Sequence, residues 1–196
     1  MRKEDEQVLV IARKIVLPKP WTGINNNGIE GFEDLIRASG IFKRRGDIED
    51  DPNWQQITPY MVFRHENKYF LMQRSSDGGE KQLYNMYSIG IGGHLRKKDL
   101  EGKTILDWAK REFEEEVDFK GSYISKVLGL LNDDRNLVGQ VHLGYVFLLE
   151  GNSDQISIKD EHQSGKLATM EEIKRIYPQM ETWSQLVYDF LKGKNG

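Results

Sequence analysis

Three observations predict a mixed α/β fold for this chain. Short runs rich in β-branched and aromatic residues stand on both sides of one strongly amphipathic helix. Turn-forming clusters separate those runs at close intervals. Two further helical stretches close the sequence. That order suits helices packed on a mixed sheet rather than a strict βαβ repeat.

The elements follow in chain order. Gln7 to Val16 reads as a strand, ended by Pro18 and Pro20. Gly23 to Gly28 is a turn-rich loop around Asn25-Asn26-Asn27. Gly31 to Ser39 predicts a short helix, with Phe32, Leu35 and Ile36 at helical spacing and Gly40 as its stop. Ile48 to Asn53 is acidic and reads as an irregular linker. Thr58 to Arg64 and Lys68 to Gln73 predict two strands joined at His65-Glu66-Asn67. Arg74 to Leu83 is a polar loop, and Tyr87 to Gly92 leads into a glycine pair. The helix begins at Thr104, where Thr104 and Asp107 have capping-box spacing. Ile124 to Leu131 and Val141 to Leu149 predict strands about a turn at Asn132-Asp133-Asp134-Arg135. Met170 to Ile176 and Thr182 to Leu191 predict helices with Pro178 between them.

The composition excludes several chemistries. The chain has 196 residues, no cysteine and a formal net charge of -3. Disulfides, thiolate nucleophiles and Cys-based zinc sites are therefore absent. The acidic balance argues against a stable nucleic-acid partner. No apolar run has membrane-spanning length, and the start Met1-Arg2-Lys3-Glu4-Asp5-Glu6 lacks a signal-peptide apolar region. No membrane contact and a cytoplasmic location are the expectation.

The stretch with the most chemistry is Arg111-Glu112-Phe113-Glu114-Glu115-Glu116. At about 100° per residue, Ile105, Trp108, Ala109 and Phe113 form one apolar stripe. Glu112 and Glu116 fall within it, Arg111 and Glu115 lie on its flank, and Glu114 points away. Carboxylates directed inward are costly unless positive charge meets them. A divalent cation answers that need, since hard cations gather several oxygen ligands. Spacings of three and four let Glu112, Glu115 and Glu116 converge above one face. Arg111, four residues before Glu115, is placed to orient it by a charge-assisted hydrogen bond. The competing reading is an ordinary solvated face with i,i+4 ion pairs.

The same residues resemble the Nudix hydrolase signature. Arg111-Glu112-Phe113-Glu114-Glu115-Glu116-Val117 matches its core, Phe119 fills the final apolar position, and Gly93 in Gly92-Gly93-His94-Leu95 matches its opening glycine. The box departs from the pattern at two places. Lys103 stands where the signature has an upstream glutamate, and Asp118 stands where it closes on glycine. The resemblance implies a Nudix-type α/β/α sandwich with a mixed sheet over residues 57-196, preceded by an extension over residues 1-56. It implies a metal-dependent hydrolase, using magnesium or manganese, that cleaves the diphosphate linkage of a nucleoside diphosphate derivative. Glu112, Glu115 and Glu116, with the Gly93 carbonyl, are the implied metal ligands. Glu112 and Glu161, the latter in a late segment Glu161-His162-Gln163, are the implied catalytic carboxylates, with Arg111 in support. Arg74 and Lys103 are the expected substrate contacts. His94 reads as a packing residue, and Trp54 and Trp108 as structural. A homodimer is compatible with this reading. The alternative is a non-catalytic Nudix-fold module that binds a nucleotide or sugar diphosphate, favoured by Lys103 and Asp118. A relationship to isopentenyl-diphosphate isomerases, suggested by Gly-Gly-His, lacks the catalytic cysteine.

Overall fold

A computed structural model describes residues 2–74, 84–97, 104–159 and 162–194. In chain order its elements are β1 (Gln7–Ala12), α1 (Arg13–Val16), β2 (Gly23–Asn25), α2 (Phe32–Ser39), β3 (Ile41–Arg44), β4 (Trp54–His65), β5 (Lys68–Arg74), β6 (Tyr87–Ser88), β7 (Ile91–Gly92), α3 (Ile105–Glu116), β8 (Val117–Phe119), β9 (Tyr123–Asn132), α4 (Leu137–Val141), β10 (His142–Gly151), β11 (Ile156–Ile158), β12 (His162–Thr169), α5 (Met170–Ile176) and α6 (Thr182–Lys194). This is the mixed α/β fold with a large sheet that the sequence predicts. The chain divides into two compact units. The first comprises Met1–Tyr60, Gly92–Ala109 and Val127–Val146, the second Met61–Ile91, Lys110–Lys126 and Phe147–Gly196.

In the first unit β1 pairs antiparallel with β3, Val8 opposite Lys43, and with the start of β4, Val10 opposite Gln56. Near its beginning β1 also meets the glycine-rich run: Leu9 N–H donates to the Leu95 carbonyl at 2.8 Å, and Val8 bridges Arg96. The N-terminal segment is thus hydrogen-bonded to the Gly92-Gly93-His94-Leu95 stretch. The expected strand Gln7–Val16 stops at Ala12. Arg13 begins a one-turn helix there, its guanidinium held by the Gln140 carbonyl at 3.0 Å and Asp134 at 2.6 Å. Gly40 closes α2, donating its N–H to the Ile36 carbonyl. The acidic Ile48–Asn53 stretch is not a free linker. Ile48 is 1% exposed and packs with Val8, Val10 and Trp54. The turn after β9 continues into α4, capped by the Asn136 side chain, which accepts from Gly139 N–H at 2.8 Å.

Gln56 is fully buried on β4, and neither atom of its amide has a hydrogen-bond partner among the described residues. An unsatisfied buried amide costs about 1–3 kcal/mol. Gln56→Met, which nearly conserves volume, is therefore expected to raise stability by about 1 kcal/mol in denaturant unfolding. A loss instead would show that a buried water satisfies the amide.

In the second unit the end of β4 and β5 form a hairpin, His65 opposite Lys68, with Glu66 at a φ of 51° in the two-residue turn. β6 pairs β5, Met72 opposite Ser88, and β8 pairs β11, Val117 opposite Ile158. β12 runs the length of β5, from His162 opposite Arg74 to Thr169 opposite Lys68. Its sequence, His-Gln-Ser-Gly-Lys-Leu-Ala-Thr, lacks apolar alternation and reads as a polar segment. The backbone pairing with β5 makes it a strand. A capping box opens α5, with Thr169 N–H donating to Glu172 at 2.7 Å and Glu172 N–H to Thr169 Oγ1 at 3.3 Å.

Candidate functional site

The phase of α3 is the one its periodicity predicts. Ile105 is 5% exposed, and Trp108, Ala109 and Phe113 are fully buried. Thr104 and Asp107 form the expected box, Asp107 N–H donating to Thr104 Oγ1 at 3.1 Å and Thr104 N–H to Asp107 at 3.0 Å. Phe113 stacks on Phe63 with ring centroids 5.8 Å apart and meets Tyr123 edge-on. That packing fixes how the acidic turn faces. Glu112 and Glu116 are half-buried, while Glu114 and Glu115 are exposed.

Arg111 organises the carboxylates. Its Nη1 donates to Glu115 Oε1 one turn on, and its Nη2 lies 3.7 Å from Glu112 Oε2. Its side chain is 31% exposed, against 19% for Glu112 and 56% for Glu115. Among the described residues, no three acidic, histidine or cysteine side chains gather into a ready-made metal cage. The donor set of α3 is nonetheless all carboxylate oxygen, the chemistry a hard divalent cation takes, and an arginine already draws two of its members together. Asp118, the departure at the closing glycine, lies in β8 opposite Ser157, and Lys120 donates to it at 2.7 Å. Its φ is not positive, so this position does not require glycine.

The second unit also brings the late segment to this helix. Lys159 N–H donates to the Glu116 carbonyl at 2.9 Å, and its ammonium donates to the Glu114 carbonyl. Three residues later, His162 stands opposite Arg74 on the β5–β12 ladder. Glu161 lies outside the described residues, but the chain on either side of it is placed. Three positions separate Lys159, tied to the end of the acidic helix, from His162, paired with the end of β5. Lys103, Lys98 and the stretch 75–83 also lie outside the described residues.

Arg74 occupies the end of β5, as expected, and is engaged by a carboxylate that sequence reasoning missed. Its Nε donates to Glu181 Oε2 at 2.9 Å. Residues 74 and 181 are 107 apart, and Glu181 follows a Pro-containing turn without any motif, so only the fold reveals the pair.

In the first unit, Gly92 lies where a side chain would crowd its neighbours. A Cβ there would lie 3.0 Å from the Tyr60 ring and 3.1 Å from the Pro59 carbonyl. Gly93 follows it, and then His94, which packs as expected. Its Nε2 is 3.0 Å from His142 Nε2, and His142 Nδ1 is 2.7 Å from the Val138 carbonyl. A carbonyl only accepts, so His142 Nδ1 carries a proton, and in the neutral pair His94 Nε2 is the donor. Burial, then the neighbouring His142, Arg45, Arg96 and Lys3, holds the His94 imidazole well below its usual pKa. Arg96 lies 3.6 Å from Glu6. Trp108 is fully buried, and Lys43 sits over the Trp54 ring at 4.6 Å, so both indoles are structural.

No family model matches the chain. It is 35% identical to Protein YmaB of Bacillus subtilis (strain 168) over 208 residues, covering 98% of this chain and 100% of that one. It is 30% identical to the crystal structure of Tm1382, described as a candidate Nudix hydrolase. The TM-score is 0.81, over 96% of this chain and 100% of that one. A likeness of fold alone joins it to the Nudix domain of Shewanella oneidensis NrtR complexed with ADP ribose, 12% identical with a TM-score of 0.58 over 72% of this chain and 89% of that one. Another joins it to a bifunctional NMN adenylyltransferase/ADP ribose pyrophosphatase from Francisella tularensis complexed with AMP and a Mn ion. There identity is 17% and the TM-score 0.52, over 72% of this chain and 42% of that one.

Proposed function

The chain belongs to the Nudix hydrolase family, and from that premise we propose that it uses magnesium or manganese to cleave the diphosphate linkage of a nucleoside diphosphate derivative. The observation that carries this reading lies in the second unit. The segment leading to Glu161 is hydrogen-bonded to the end of the acidic helix, and the residue after Glu161 pairs with Arg74. In sequence the candidate base therefore stands between a residue tied to the acidic helix and one paired with the candidate phosphate contact, which supports the reading.

Each residue then has a role. Glu115 and Glu116 are the principal metal ligands, with Glu112 as a third. When bound, the metal neutralises phosphate oxygens and lowers the pKa of its water. Arg111 holds Glu115 in place from the preceding turn. Glu161 takes the proton of the attacking water. Arg74 and Lys103 meet the charge of the phosphates, which guanidinium and ammonium groups do well. The carbonyl of Gly93 as a further ligand follows from the resemblance to the signature.

The test is turnover with magnesium on ADP-ribose, nucleoside triphosphates, dinucleoside polyphosphates and nucleotide sugars. Two relatives in fold are complexed with ADP ribose or described as an ADP ribose pyrophosphatase, so ADP-ribose is the first choice. Metal-dependent release of a nucleoside monophosphate is the expected result. Binding of these compounds without turnover would favour the non-catalytic module.

A further inference from the structure

The second unit buries a carboxylate that is not part of the acidic helix. Glu181, the residue before α6, is 4% exposed. Its Oε2 accepts from Arg74 Nε at 2.9 Å. Its Oε1 lies 2.7 Å from Ser88 Oγ and 3.2 Å from Ser184 Oγ. Its N–H donates to the Tyr87 carbonyl at 3.0 Å. A carboxylate leaves water at low cost only when charge and hydrogen bonds meet both its oxygens, and here they do. The serines are themselves fixed: Ser184 Oγ accepts from Ile89 N–H at 2.9 Å, and Ser88 Oγ from Gly90 N–H at 3.1 Å.

The consequence falls on Arg74. A guanidinium is planar and carries five N–H donors in a rigid fork. A bond from Nε to a buried, immobile acceptor sets the plane and direction of that fork. Arg74 is the last residue of β5, its side chain is 24% exposed, and its partner across the ladder is His162.

We propose that Glu181 is a positioning residue, which through Arg74 Nε holds the guanidinium in the orientation that takes a phosphate of the substrate. The proposal rests on the reading of Arg74 as a phosphate contact. It makes the residue preceding the C-terminal helix a determinant of substrate affinity. A purely structural Glu181 would only fasten α6 to β6 through Ser88 and Ser184.

Inorganic pyrophosphate, the linkage shared by all the substrates considered, is the probe, titrated calorimetrically into the full chain in magnesium buffer. Arg74→Gln and Glu181→Gln are each expected to weaken binding on the order of tenfold, the range of a hydrogen bond to a charged group. The double variant is expected to bind no worse than Arg74→Gln, because the two residues act as one. Ser184→Ala removes a hydroxyl from the same carboxylate without touching Arg74. It is expected to lower the melting temperature and leave affinity unchanged. Glu181→Asp, which keeps the charge but retracts it, replaces Glu181→Gln if that variant does not fold, and is also expected to weaken binding. Affinity unchanged in the Glu181 variants but lost in Arg74→Gln, or additive losses in the double variant, would overturn the positioning role and leave the Arg74 reading intact. Full affinity in Arg74→Gln, or no binding by the wild type, would overturn the Arg74 reading itself.

Discussion

Replacing Glu115 and Glu116 together by glutamine is expected to abolish the rise in melting temperature that magnesium or manganese gives, and to lower turnover by about 10³-fold or more. The first effect is mass action. An ion that binds only the folded chain stabilises it by about 2.7 kcal/mol at a hundred times its dissociation constant, and the double variant loses that increment. The second follows from the several kcal/mol of transition-state charge that a catalytic metal neutralises. Without metal the variant is expected to unfold within about 1 kcal/mol of the wild type. Glu115 is more than half exposed and its ion pair with Arg111 is a surface one. Thermal melts with and without metal separate the terms. A metal-induced shift that survives in the double variant would place the ion elsewhere.

Glu161→Gln is expected to lower kcat by about 10²–10⁴-fold, the usual contribution of a general base, with little change in KM. The substitution keeps size and hydrogen-bonding capacity, so fold stability should be unchanged. The ties at Lys159 and His162 are made by the flanking residues and survive it. A kcat within about threefold of wild type, less than 1 kcal/mol of barrier, would remove Glu161 from the mechanism. Glu150, the next carboxylate in line, is a poorer base. Arg64 and Lys126 both hold it, the latter at 3.2 Å.

What the sequence makes legible is local. The stripe through Ile105, Trp108, Ala109 and Phe113 repeats at the helical period, so the helix and the facing of its glutamates follow from spacing alone. The spacing of Thr104 and Asp107 likewise announces the start of α3, because a cap is a contact between near neighbours. The hidden parts depend on distant partners. β12 is a strand because β5 offers it a ladder, and nothing within His162 to Thr169 encodes that. Arg13 turns β1 into α1 by reaching Asp134, 121 residues away. The grip of Glu181 on Arg74 has the same character. Ile48, a lone apolar residue in an acidic stretch, shows its packing only once Val8 and Val10 stand beside it.

The clustering of Glu114, Glu115 and Glu116 in the last turn of α3, a turn that holds no basic residue of its own, has an electrostatic consequence. Peptide dipoles sum to about half a negative charge at a helix C-terminus, so carboxylates there oppose the macrodipole where most helices place lysine or arginine. Lys159, donating to the Glu114 carbonyl from outside the helix, is a partial counterweight. The turn thus concentrates negative potential from side chains and backbone alike. A cation arriving there would be attracted by both, and its charge would offset the repulsion among the three carboxylates.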